Sequence, residues 1–168
     1  VGFELDAFLG RVSDLRTWTN ALPSVVVCEL TGELGMVPIT GTLFEELRAR
    51  LGEEDAKRLD ANQRYTTYPS PSHLEGVRRW GAQASRGTAV AYLSIGEFGD
   101  QSHEDATLWH SGEQLLTAGD LATTLAHFRE RSGFDIGDGR IDLEKYRGEN
   151  AAEQWADARK KALAAGDA

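Results

Sequence analysis

The stretch "TAVAYLSIGEFGDQSHEDATLWHSGEQLL", Thr88 to Leu116, carries the strongest β signal in the chain. β-Branched and aromatic residues run through it, and Gly and Ser-Gly interrupt it. It reads as a long strand over "TAVAYLSIGEF" and a six-residue loop from Gly99 to Glu104. A second strand over "DATLWH" follows, and Ser111-Gly112 turns into a short third one. Strands joined by such short connections pair antiparallel, and that decides the fold class.

Upstream, "SVVVCEL" from Ser24 reads as a buried strand, "TGE" as a turn and "LGMVPIT" as its return. Pro38 cannot donate to a ladder, which predicts an edge or a bulge there. Phe8, Val12, Leu15, Trp18 and Leu22 fall at near-helical spacing, predicting an N-terminal helical segment over residues 1–22 that ends at Pro23. Thr42 with Glu45 reads as a capping box ahead of the Leu43, Leu47, Leu51 stripe, with Gly52 as stop. "EEDAKRL" extends that helix by a turn. Ser72 with Glu75 repeats the capping pattern. Leu74, Val77, Trp80 and Ala84 then share a helix face that Gly87 closes. Asp120 caps a helix with Leu121, Leu125 and Phe128 inward, and Gly133 stops it. A last helix, residues 149–168, starts near Asn150, has Trp155 as its large anchor and is expected to fray at its end. The sum is one α+β domain over residues 1–168. Its sheet is mostly antiparallel, with about five strands packed against several helices.

Eighteen Lys and Arg against 27 Asp and Glu leave a net charge of −9, which disfavours a nucleic-acid partner. Between Gly87 and Phe128 there is no Lys or Arg, while Glu97, Asp100, Glu104, Asp105, Glu113 and Asp120 all lie there. This segment reads either as a solvated sheet edge kept soluble by repulsion or as a docking face for a basic protein. Aromatic residues are enriched at interface hot spots, so Trp109 within it is a candidate anchor. No apolar run approaches the roughly 20 residues of a membrane span. The acidic "VGFELDAFLG" lacks the basic region of a signal peptide. Cys28 is the single cysteine and lies in an apolar run, so it is expected to be buried and inert. Together these predict a cytoplasmic protein with no membrane contact.

"GFDIGDGRIDLEKY", Gly133 to Tyr146, looks like the back half of a calcium loop. With Asp138-Gly139 on the fifth and sixth positions, Ile141 takes the aliphatic eighth. Phe134 and Ile136 then occupy ligand positions, and Lys145 stands where the bidentate Glu belongs. A structural turn is the better reading. His103, Glu104, Asp105 and His110 suggest metal binding or acid–base chemistry, but odd separations put Asp105 and His103 on the strand face opposite His110. No phosphate-loop, dinucleotide, nucleophile-elbow or zinc-protease motif occurs. No metal, cofactor or catalytic residue is therefore assigned.

"LPSVVVCELTGELGMVPITGTLFEEL", the Gly87–Leu116 stretch, "GFDIGDGRIDLEKYRG" and Trp155 together resemble a group of small bacterial proteins, some of immunity type that neutralise toxins. The likeness spans residues 22–155. The resembling proteins tend to carry a second glycine after Phe-Gly, where this chain has Asp100. The resemblance implies a small α+β cytoplasmic binding protein without a catalytic residue. The expected function is thus a non-enzymatic, immunity-like protein-binding domain. Glu97, Asp100, His103, Glu104, Asp105 and Trp109 form its candidate partner face. The alternatives are a small hydrolase-like enzyme using carboxylates and His103 near the 99–104 loop, or a regulatory domain that binds a small ligand between sheet and helices.

Overall fold

The computed structural model describes residues 2–50, 75–117, 120–138 and 140–166. Its elements in chain order are β1 Phe3–Arg11, α1 Val12–Thr17, β2 Cys28–Glu29, β3 Leu34–Pro38, α2 Gly41–Ala49 and α3 Glu75–Ala84. After these come β4 Ala89–Phe98, β5 Gln101–His110, β6 Glu113–Thr117, α4 Leu121–Arg131 and α5 Ala151–Ala164. The strands form one antiparallel sheet of six, in the order β2-β3-β1-β4-β5-β6. The α+β class is as expected, with one strand more than the sequence suggested.

That extra strand is β1. The N-terminal segment over residues 1–22, expected to be helical, instead runs as a strand from Phe3 to Arg11 and then turns into the short α1. β1 is central, pairing with β3 on one side and β4 on the other. A strand covered on both faces needs apolar residues of both parities, which blurs the period-two signal. Phe3, Leu5, Ala7 and Leu9 enter one core, and Phe8 enters the other. The helical spacing counted from Phe8 to Leu22 straddled the strand–helix junction.

The two cores make the sheet a middle layer. On one face α4 lays Leu125 and Phe128 on β4 and β5, while α5 lays Ala152 and Trp155 on β1, β2 and β3. On the other, Leu15, Trp18, Leu43 and Leu47 cover Phe8, Val37, Tyr92 and Trp109. The second core is aromatic. The Trp18 ring meets Phe8 edge-on at 5.2 Å and Trp80 at 5.7 Å. Each such pair adds about 0.5–1.5 kcal/mol beyond its buried area. Trp80 is half-buried at this seam. Leu74, Ser72 and Gly52 lie outside the described residues.

Other local expectations shift by a residue or two. "SVVVCEL" contributes a strand only at Cys28–Glu29. Pro38 pairs with Ala7, but β2 reaches no further than Met36, so β3 is locally an edge at Pro38. Helix α2 is capped by Thr40, not Thr42: Thr40 Oγ1 accepts from Leu43 N at 3.2 Å. Asp120 caps α4 as expected, accepting from Thr123 N at 2.6 Å. Helix α5 stays helical through Ala164.

The calcium-like stretch is a clamp on the β2–β3 turn. Thr31 Oγ1 donates to Ile136 O at 2.7 Å, and Glu33 N donates to Asp135 O at 2.7 Å. Its carboxylates turn back on their own chain: Asp135 accepts from Gly137 N and Asp138 from Arg140 N. Gly137 is required there twice over. Its φ is +68°, and a Cβ would sit 2.3 Å from Thr31 Oγ1. Cys28 is buried, its thiol donates to Trp155 O at 3.6 Å, and burial pushes it up to about 11. That makes it an inert core group. Among the described residues no helix is long and apolar enough to cross a membrane.

Candidate functional site

β4 and β5 pair along their whole length, from Ala89 opposite His110 to Phe98 opposite Gln101. The expected loop from Gly99 to Glu104 is therefore a two-residue turn, Gly99-Asp100, followed at once by strand. Gly99 takes a φ of +62°, the sign that the first position of a II′ hairpin turn demands. Residues 101–104 are polar and exposed, which made them read as loop. Their backbone ladder to β4, not their side chains, holds them extended.

β6 covers β5 only from Thr107 to His110. On the side away from β4, no described strand pairs with Gln101–Ala106. With β1 paired to β4 as far as Glu97, the hairpin end forms a three-stranded ribbon whose β5 edge is open among the described strands.

Alternation along the ribbon divides the expected partner residues. Glu97 and Glu104 belong to the α4 face, with Glu104 opposite Ile95. Glu104 Oε1 accepts from Leu121 N and so caps α4 from the neighbouring strand. Asp100 is exposed in the turn. His103 and Asp105 belong to the opposite face. Trp109 does not join them: it is 2% exposed and packs in the second core. A Cβ on Gly81 of α3 would lie 2.5 Å from its ring, so this helix was built to let the indole in. The exposed anchor expected at Trp109 is corrected to a core residue, because its parity points it under α3.

Beneath His103 lies a polar cluster that sequence reading missed. Tyr92 Oη donates to Asp6 Oδ1 at 2.9 Å, and Ser94 also bonds to the Asp6 carboxylate. Ser94 Oγ stands 3.3 Å from His103 Nε2. With Ser94 donating to Asp6, its oxygen accepts from the imidazole N–H. Burial pushes the Asp6 carboxyl up to about 6, against the lowering effect of its Ser94 and Tyr92 bonds. Glu4, two residues along the same face, is raised by burial and by Asp6, while His103 pulls it down. Tyr92 is raised well above the usual phenol range, chiefly by burial.

The cluster has serine, histidine and aspartate, but in the wrong order for a nucleophile. The acid orients the serine instead of the imidazole, and Ser94 is 1% exposed on a strand interior. The 99–104 loop expected for a hydrolase-like site of carboxylates and His103 is instead a two-residue turn followed by strand. No group of three His, Cys, Asp or Glu able to hold a metal occurs among the described residues. What the cluster does is anchor: it ties β1, β4 and β5 together through their side chains on this face of the sheet. The sequence carried one signal for it, Glu4 and Asp6 alternating with Phe3, Leu5 and Ala7, which the helical reading of residues 1–22 hid.

Comparison with protein-family models, curated proteins and solved structures finds no match to this chain. The resemblance to immunity-type proteins rests on the residues alone.

Proposed function

We propose that the chain is a non-enzymatic protein-binding domain of immunity type, which offers the end of the β4–β5 hairpin to a basic protein. The open edge of β5 over Gln101–Ala106 carries this reading. An unpaired edge is a template for a partner's strand, which main-chain hydrogen bonds would add to the sheet. Glu97, Asp100, Glu104 and Asp105 flank that edge. They favour Lys- and Arg-bearing partners and disfavour pairing with a second copy, because like charges would then face each other. The same acids, within a chain of net charge −9, disfavour nucleic acid. A cytoplasmic setting belongs to this reading and fits a chain whose lone cysteine can form no internal disulfide.

The test is capture from the native host, identification of the bound protein, and amide-exchange mapping of the reconstituted complex. Slowed exchange over residues 101–106 is expected. Protection confined to other surfaces would refute the hairpin as the recognition element.

A further inference from the structure

A second surface has the opposite charge. Where α5 passes the end of α1 and the extended residues before β2, there is an open groove of about 430 Å³. Arg16, Arg159 and Lys160 line it together with Val26, Val27 and Leu163. Three cations thus meet in a chain of net charge −9. Glu29 lies between two of them: its Oε1 is 2.7 Å from Arg16 Nη2 and 3.8 Å from Arg159 Nη2. Arg16 stands in the last turn of α1 and Lys161 in that of α5, where the helix dipoles favour cations, so two helix C-termini bring positive charge to this surface. The Arg159 side chain is only 15% exposed, so its field is poorly screened by water. Leu163, at 51%, is an exposed large hydrophobic beside this charge. Such pairing of apolar wall and clustered cation suits a ligand with both characters, and the volume lies in the range of small-molecule sites.

We infer that this groove binds a small monocarboxylate with an alkyl chain. The carboxylate meets Arg16 and Lys160, and the chain lies along Val26, Val27 and Leu163. Guanidinium forks match carboxylate geometry, and Glu29 shows that two of them already converge on one carboxylate oxygen. An adjoining groove of about 320 Å³ shares Val26 and Lys160, but Glu153 and Asp157 line it and would repel the head group. That fixes which end of the surface holds the anion. This site is independent of the acidic hairpin and lies outside the sheet–helix interface where a small-ligand site was expected.

Octanoate is the probe, titrated into isotope-labelled protein and followed by amide chemical shifts and calorimetry. Saturable binding at one site is expected, with shifts centred on residues 25–27 and 159–163. Acetate and octanol, each lacking one half of the ligand, should bind at least about tenfold more weakly. Lys160→Gln with Arg16→Gln should weaken octanoate about tenfold while leaving octanol unchanged. Leu163→Asp, at an exposed position that cannot disturb the core, should abolish it. The inference is overturned by non-saturable binding, by shifts centred elsewhere, or by variants that bind octanoate like the parent. It is overturned equally if a peptide with a C-terminal carboxylate outcompetes octanoate at the same residues.

Discussion

The imidazole of His103 lies against the backbone of Gly96, its cross-strand partner: a Cβ at residue 96 would stand 2.3 Å from the ring's Cε1. Glycine is needed there for space, since its φ is not in the left-handed region. Gly96→Ala should therefore drive the ring outward and break its contact with Ser94. A lost hydrogen bond of this kind costs about 1 kcal/mol. Nuclear Overhauser contacts between the His103 ring and residue 96 should vanish. Unchanged ring shifts in the variant would mean that the ribbon tolerates a methyl and that the imidazole is not held by Ser94.

Asp6 makes stability depend on pH in an unusual direction for a carboxylate. Its folded value is raised to about 6 by burial, whereas an unfolded chain ionises it near about 3.9. The folded state therefore favours the protonated form. The stability it contributes is complete below the unfolded value and is lost as pH rises through about 6. The loss across that window is on the order of 2–3 kcal/mol. Asp6→Asn keeps an acceptor for Tyr92 Oη and removes the titration. In denaturant unfolding, the variant should gain on the parent between about pH 4 and pH 7 and run parallel above it. A constant difference over that window would show a solvated, ionised Asp6.

The sequence revealed the α+β class through turns and caps that act locally: Gly99, Ser111-Gly112, Asp120 and Asn150 all sit at element ends as read. It concealed what depends on distant partners. Phe3–Arg11 took a central strand's two-sided burial from β3 and β4, and neither neighbour is adjacent to it in sequence. Residues 101–104 looked like loop because the β4 backbone that orders them has no side-chain signature. The acids of the hairpin were legible as composition. Their division between two faces was not, because the length of the turn sets the parity. The Asp6, Tyr92, Ser94 cluster needs β1 beside β4 before it exists at all.

Trp109 and Gly81 test the corrected core. Trp109→Ala should cost about 3–5 kcal/mol, as large-to-small changes in buried aromatics do. Gly81→Ala gives the sharper sign. In an exposed helix interior it would stabilise by about 1 kcal/mol through propensity. Here the added carbon meets the indole at 2.5 Å, so a net loss of about 1–3 kcal/mol is expected from overpacking. A stabilised Gly81→Ala protein in thermal melts would mean that α3 does not rest on Trp109.

The hairpin acids can be neutralised without dismantling the fold, provided the amides are used. Glu97→Gln, Asp100→Asn, Glu104→Gln and Asp105→Asn together remove four negative charges. Glu104→Gln retains an oxygen to accept from Leu121 N, whereas Glu104→Ala leaves the first amide of α4 open and should cost about 1 kcal/mol. Exposed substitutions elsewhere on the ribbon should each stay within about ±0.5 kcal/mol. If a basic partner docks on the open edge of β5, rim charges steer its approach. Surface charges are screened over roughly 8–10 Å at physiological salt. Association of the parent should then slow as salt rises. The four-amide variant should associate about tenfold more slowly at low salt and show a flatter salt dependence. Dissociation should change less, because main-chain bonds along Gln101–Ala106 would hold the complex once formed. Stopped-flow mixing at several salt concentrations separates the two rates. A partner whose association ignores both salt and the four substitutions would move the recognition surface off the hairpin and leave its charge as protection of a bare sheet edge.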